Sequence, residues 1–253
     1  MNLPGMVGGV STVPRPFGRG MPASRPAWHA YYAIFGVPSF RSQLLWWRLE
    51  RLLGARPLSS ALDAGCGGGA LTVELASAHP SARFTGIDIN GSSIEKAKTL
   101  AAEAKVTNVE WMVSSILAFQ LRGFDLVLSI GVLEFAKDPR ETVRHLAGRA
   151  SDGGLLVVTM PHAVRPRSVN SRGRASAEEL AGWMAAAGCP SPRILKLARG
   201  PAFWAYRGSQ MAQSAAGLAA LHHLISLPLI PLDEMLPGRG DLLLGYGRVR
   251  RSP

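Results

Sequence analysis

The segment Leu62-Asp63-Ala64-Gly65-Cys66-Gly67-Gly68-Gly69 limits what this chain can become more than any other part of it. A short apolar run ends in an acid, four glycines follow within five residues, and an apolar helical pattern starts at Ala70. Strand, glycine turn and helix in that order open a parallel βαβ unit, because the turn lets backbone approach where side chains would collide. The following residues repeat the alternation. Apolar, β-branched runs at 60–63, 83–88, 109–113, 124–129 and 154–160 read as strands. Segments 70–78, 92–104 and 139–150 read as helices, the last with Pro139 in its first turn. The pattern predicts an α/β fold built on an open, doubly wound, largely parallel sheet.

Read alone, the turn fits two classes of ligand, since Gly65, Gly67 and Ala70 also satisfy the dinucleotide pattern G-x-G-x-x-G/A. Asp63 separates them. A pyrophosphate is anionic, and a carboxylate beside its cradle repels it. S-adenosyl-L-methionine brings an ammonium and a sulfonium, which an acid attracts directly or through water. Asp88 ends the second predicted strand in Phe84-Thr85-Gly86-Ile87-Asp88-Ile89, 19 residues past Gly69. A carboxylate there can accept both ribose hydroxyls, each bond being charge-assisted and contributing roughly 1.5–3 kcal/mol. It points to a nucleoside without choosing which.

On these residues the sequence resembles the class I S-adenosylmethionine-dependent methyltransferases, particularly the small-molecule group. LDAGCGGG at 62–69 matches the first motif of that family, D-x-G-x-G-x-G, and GIDI at 86–89 matches the second. FDLVLSIGVLEFAKDP at 124–139 and GGLLVVTMP at 153–161 match the fourth and fifth strands. The resemblance implies a Rossmann-like, doubly wound seven-stranded sheet whose last two strands form an antiparallel hairpin. Strands at 193–197 and 241–248 would be that hairpin, with 200–238 as an apolar insertion between them. It implies cofactor contacts from Asp63, Gly65, Cys66, Gly67, Gly69, Asp88, Ile89 and Ile130. The family often has an acid after the third strand; here Ser115 stands there with Ile116 beside it, offering a hydroxyl without charge.

Composition bounds the rest. The net charge of +11 is uneven: residues 1–58 carry +6, 59–160 carry −2 and 161–253 carry +7. Such flanks suit an anionic partner, or are solvated arginine-rich surface. Cys66 and Cys189 are too few for a disulfide framework or a cysteine zinc cluster, and His222-His223 would diverge by about 100° on a helix, so no metal is expected. With no apolar run of signal-peptide or membrane-spanning length, the expectation is a cytoplasmic protein.

The expected organisation is a loosely docked tail at 1–26, rich in glycine and proline, and one domain at 27–253. Within it, helices at 27–58 would act as a lid and 59–160 as the cofactor core. Tyr31, Tyr32 and Phe35 sit in an aromatic cluster that either packs the first helix or closes over cofactor and substrate. Arg165 and Arg167 lie in a basic loop suited to a phosphate or carboxylate on a substrate, or to plain solvation. Glu134 after the fourth strand and His162 after the fifth are the candidate catalytic residues, as orienting group or base. Ser176 with Glu179 forms a capping box for a helix at 176–187.

The expected activity is in-line transfer of the sulfonium methyl to an oxygen, carbon or nitrogen of a small molecule. That reaction needs alignment and exclusion of water more than covalent help. Three rivals stand beside it. Nucleic-acid methylation is suggested by the charge, but Ser129-Ile130-Gly131-Val132 replaces the polar-Pro-Pro-aromatic tetrad of exocyclic-amine methylases. A non-enzymatic cofactor-binding fold serving as a scaffold is the second, and the intact Asp63, Asp88 and turn glycines count against it, with cofactor turnover deciding. Lipid methylation with peripheral membrane contact is suggested by the apolar stretch 211–232 between basic flanks.

Overall fold

A computed structural model describes residues 45, 48, 49, 51–54, 57–163, 173–198 and 240–251. Tyr31, Tyr32, Phe35, Arg165, Arg167, His222 and His223, the tail at 1–26 and the insertion at 200–238 lie outside the described residues.

The first unit runs β1 (Ser60–Ala64), α1 (Ala70–Ala78), β2 (Arg83–Asp88), α2 (Gly91–Glu103) and β3 (Val109–Val113). The second runs β4 (Phe124–Ser129), a 3-10 turn (Leu133–Phe135), α3 (Pro139–Ala147), β5 (Ala150–Pro161), α4 (Ala177–Ala186), β6 (Arg193–Leu197) and β7 (Leu242–Arg248). They form one seven-stranded sheet in the order β3-β2-β1-β4-β5-β7-β6. β1 pairs in parallel with β2 and β4, while β7 is antiparallel to both β5 and β6. The strand order reverses beside β1, so the crevice at its carboxyl end is the place where this topology holds ligands. Among the described residues no helix is long and apolar enough to cross a membrane.

Side-chain alternation explains why the sheet is covered twice. Ala61, Leu126, Leu128 and Leu244 turn to one face, where they meet Leu75 of α1 and the helical residues Leu45, Leu49 and Leu53. Leu62, Ala64, Val127, Leu156 and Val158 turn to the other, under Val143 and Leu146 of α3 and Leu180 and Met184 of α4. Each fully buried leucine contributes about 1.5–3 kcal/mol by leaving water.

Helix starts follow local chemistry. The Asn90 side chain accepts from the Ser92 amide at 3.0 Å, and Asp138 Oδ1 accepts from Glu141 at 3.1 Å with Pro139 in the first turn. Ser176 and Glu179 close the expected capping box.

Two boundaries differ from the sequence reading by more than one residue. The helix expected to reach residue 150 ends at Ala147, because Gly123 and Phe124 both donate to the Arg149 carbonyl and draw the chain into the sheet. β5 therefore starts at Ala150, and its register with β4 shifts between Phe124 and Leu126.

Candidate functional site

The site begins where β1 and β2 end. The turn after β1 is welded to β2: the amides of Gly65 and Cys66 both donate to the Ile87 carbonyl, at 2.7 and 2.9 Å. The Gly67 amide donates to Asp88 Oδ2 at 2.9 Å, and the Gly69 amide returns to the Cys66 carbonyl at 3.0 Å. These amides are committed within the protein. An anion cradle needs free N–H groups converging on the ligand, and this turn has spent most of its own. It offers room instead: a Cβ at Gly67 or Gly68 would meet nothing within 4 Å.

Glycine is required at the two ends of the turn for a different reason. Gly65 has φ +83° and packs under the Val132 side chain, which a Cβ would overlap. Gly69 has φ +77°, and a Cβ there would stand 2.6 Å from both Ala97 Cβ and Trp111 Cη2. Neither the backbone conformation nor the space suits a larger residue.

Two carboxylates stand at the base of this opening. Asp63 is only 3% exposed and its Oδ2 accepts from the Thr72 hydroxyl at 2.6 Å. Burial pushes its pKa up to about 6, against the pull of the Thr72 hydrogen bond and with a smaller push from the Asp88 charge. The Asp88 carboxylate is aimed by two amides, Gly67 on Oδ2 and Asn90 on Oδ1 at 2.8 Å. Each oxygen keeps acceptor capacity. Cys66 lies beside them; burial, then Asp63, then Asp88 push its thiol far up, so it stays protonated and is no nucleophile. A cleft with two carboxylates and few free amides accepts cationic and hydroxyl-bearing groups.

Ile89 is 76% exposed, and Val113, in register with Asp88, is 60% exposed. They leave an apolar rim on the Asp88 side of the opening. The Ser115 hydroxyl accepts from the Ala118 amide at 3.2 Å, so it shapes the loop after β3. Ile116 and Ile130 are half-buried and pack against the cores on opposite faces of the sheet.

Beyond β4, the Ser129 hydroxyl donates to the Ala64 carbonyl at 2.9 Å and the Gly131 amide donates to Thr159 Oγ1 at 2.8 Å. These bonds hold the 3-10 turn that presents Glu134. Its Oε2 is buried without a hydrogen-bond partner among the described residues, while neighbouring Phe135 is 83% exposed. Gly173 runs against the Glu134 carbonyl, and Ala175 bridges to His162. His162 itself is buried, its Nδ1 2.9 Å from the Gly240 carbonyl. A carbonyl only accepts, so Nδ1 carries the proton and ties β5 to the segment entering β7.

Thr72, Trp111, Val113, Val132, Thr159 and Gly173 were not singled out by sequence reasoning. Val132 and Thr159 stand inside the matched segments, but their place in the site comes from contacts with Gly65 and Gly131 rather than from the motif.

Similarity to known proteins agrees with this geometry. A family model described as a methyltransferase domain matches residues 56–203. A malonyl-[acyl-carrier protein] O-methyltransferase from Anoxybacillus flavithermus is 33% identical over 102 residues, covering 40% of this chain and 38% of that protein. A ubiquinone biosynthesis O-methyltransferase from Methylobacterium is 34% identical over 137 residues, covering 52% of this chain and 53% of that one. The chain thus spans about half, or less, of these curated relatives. Among solved structures, phosphoethanolamine N-methyltransferase 2 of Haemonchus contortus in complex with S-adenosyl-L-methionine aligns with TM-score 0.63 at 18% identity, over 88% of this chain and 56% of that one. A [4+2]-cyclase aligns with TM-score 0.54 at 18% identity, over 81% of each chain, so the fold alone does not select a reaction. With the family model spanning more than half of its length, this chain belongs to the methyltransferase-domain family.

Proposed function

We propose that the protein binds S-adenosyl-L-methionine and methylates a small-molecule acceptor. The observation that carries this reading is the exchange of amides for carboxylates at the glycine turn: Gly65, Cys66 and Gly67 have donated their N–H groups, while Asp63 and Asp88 are presented. That set suits a cationic amino acid joined to a ribose and does not suit a pyrophosphate. Asp63 would attract the ammonium end, Asp88 would accept from the ribose hydroxyls, and Ile89 with Val113 would flank the base. Ser115 and Ile116 would border that end, and Gly67 and Gly68 would leave the space. When bound, the cofactor supplies an electrophilic methyl group on sulfur.

The chain's own work is then alignment and handling of one proton. Glu134 is proposed to orient an acceptor hydroxyl or amine and to take its proton, since its buried Oε2 has no hydrogen-bond partner among the described residues. His162 is proposed to position rather than to act as base, because its Nδ1 proton is committed to Gly240. The O-methyltransferase names of the relatives favour an oxygen acceptor. Location in the cytoplasm belongs to the same proposal.

The test is methyl transfer from labelled S-adenosyl-L-methionine to a panel of phenols, carboxylates and amines, with Glu134→Gln run in parallel. Acceptor-dependent label transfer that falls in the variant supports the reading. Cofactor binding without transfer to any acceptor class would favour a scaffold role.

A further inference from the structure

We propose that a cluster of arginines at the amino ends of the parallel strands, away from the glycine turn, is a second site that binds phosphate-bearing anions. A cavity of about 530 Å³ opens between the helical segment around residue 51 and the β5–β7–β6 edge. Arg51, Arg193, Arg248 and Arg250 line it together with Tyr246 and Leu155. They arrive from separate segments. Arg193 opens β6 opposite Tyr246, and Arg248 closes β7 opposite Leu155. Arg51 comes from helical residues anchored by buried Leu49 and Leu53. The catalytic candidate His162 lies seven residues farther along the sheet than Leu155, roughly 23 Å at about 3.3 Å per residue.

Among the described residues no carboxylate lines this cavity. Among the described residues, Arg193, Arg248 and Arg250 have no acid within ion-pair distance. The nearby acids are engaged elsewhere: Asp152 accepts from the Arg251 amide, and Asp125 accepts from Ser59 and Ser60. The groove beside α3 is different. There Arg140 and Arg144 share the wall with Asp138 and Glu141, and Arg144 lies 3.8 Å from Glu141. Balanced charge of that kind is ordinary surface. Arg193, Arg248 and Arg250 bring positive charge to one concavity with no acid partner among the described residues, the Arg248 guanidinium also donating to the Gly153 carbonyl, and planar guanidinium forks match phosphate oxygens.

The shared ligand chemistry is a phosphoryl group with neighbouring negative charge, supplied by a free polyphosphate or by an anionic phospholipid headgroup. The full chain is titrated with tripolyphosphate by calorimetry at low and high salt. It is also sedimented with phosphatidylcholine vesicles with and without phosphatidylglycerol. R193Q/R250Q is compared with the charge-matched control R140Q/R144Q, and each single variant of the first pair is included. The expected result is salt-sensitive binding that weakens about tenfold or more in R193Q/R250Q, in part in each single variant, and not in the control. Tripolyphosphate binding assigns a free anion, and vesicle binding alone assigns a headgroup. Absence of binding to both probes, unchanged binding by R193Q/R250Q, or equal losses in both double variants overturns the proposal.

Discussion

The Gly67 amide donates to Asp88 Oδ2 at 2.9 Å, so the glycine turn after β1 and the acid ending β2 form one hydrogen-bonded unit. The bond orients the carboxylate before any ligand arrives. Asp88→Ala should therefore weaken S-adenosyl-L-methionine binding by roughly 1.5–3 kcal/mol, about 10- to 150-fold, through lost ribose contacts. Calorimetric titration checks this, and an unchanged dissociation constant would show that the ribose is held elsewhere.

Asp63 couples affinity to pH. Its pKa stands at about 6, raised chiefly by burial. A carboxyl group whose folded pKa exceeds its unfolded value favours the fold when protonated, and this contribution is lost as pH rises through the folded value. The ligand-free protein should lose stability from this group between about pH 4 and pH 6. A cationic ligand prefers the ionised form, so affinity should rise between about pH 5 and pH 7. Asp63→Asn should stabilise the ligand-free protein by on the order of 3 kcal/mol at neutral pH, raising its melting temperature, while abolishing that rise in affinity. Thermal melts and titrations across the range measure both.

The glycines of the turn should separate into two kinds. Gly69→Ala meets Trp111 and Ala97 in a left-handed backbone, so it should cost about 2–4 kcal/mol of stability by urea denaturation. Gly68→Ala meets nothing within 4 Å and should fold normally, yet bind cofactor more weakly because its methyl enters the opening. Equal stability losses in the two variants would contradict this division.

Much of the core was legible because its strands are short apolar runs set off by glycine and proline. The spans of β2, β3, β4 and β6 match the sequence reading residue for residue. The carboxylates were legible too, since their place after strands is a local signal. What escaped were contacts with no periodicity. The Thr72 hydroxyl reaches Asp63 from one turn into α1, and Trp111 sits over Gly69 from β3. The bonding of the turn's amides escaped as well: Gly65 and Cys66 donate to Ile87, a pairing visible only once β1 and β2 lie side by side.

Glu134 and His162 should fail differently when changed. Glu134→Gln should lower kcat by about 10²–10⁴-fold while leaving cofactor affinity unchanged, if the acceptor must lose a proton in the rate-limiting step. His162→Ala should instead lower stability by about 1–3 kcal/mol, because it strands the Gly240 carbonyl. Steady-state kinetics beside chemical denaturation separates the two roles.

The central claim, that this turn is built for a cationic nucleoside and not for a pyrophosphate, is tested most directly by one calorimetric comparison. S-adenosyl-L-methionine, S-adenosylhomocysteine and NAD are each titrated into the full chain and into Asp88→Ala at neutral pH. The account predicts saturable binding of the first two ligands, weakened in the variant, and no binding of NAD. Saturable binding of NAD, with neither adenosyl ligand taken up, would contradict it.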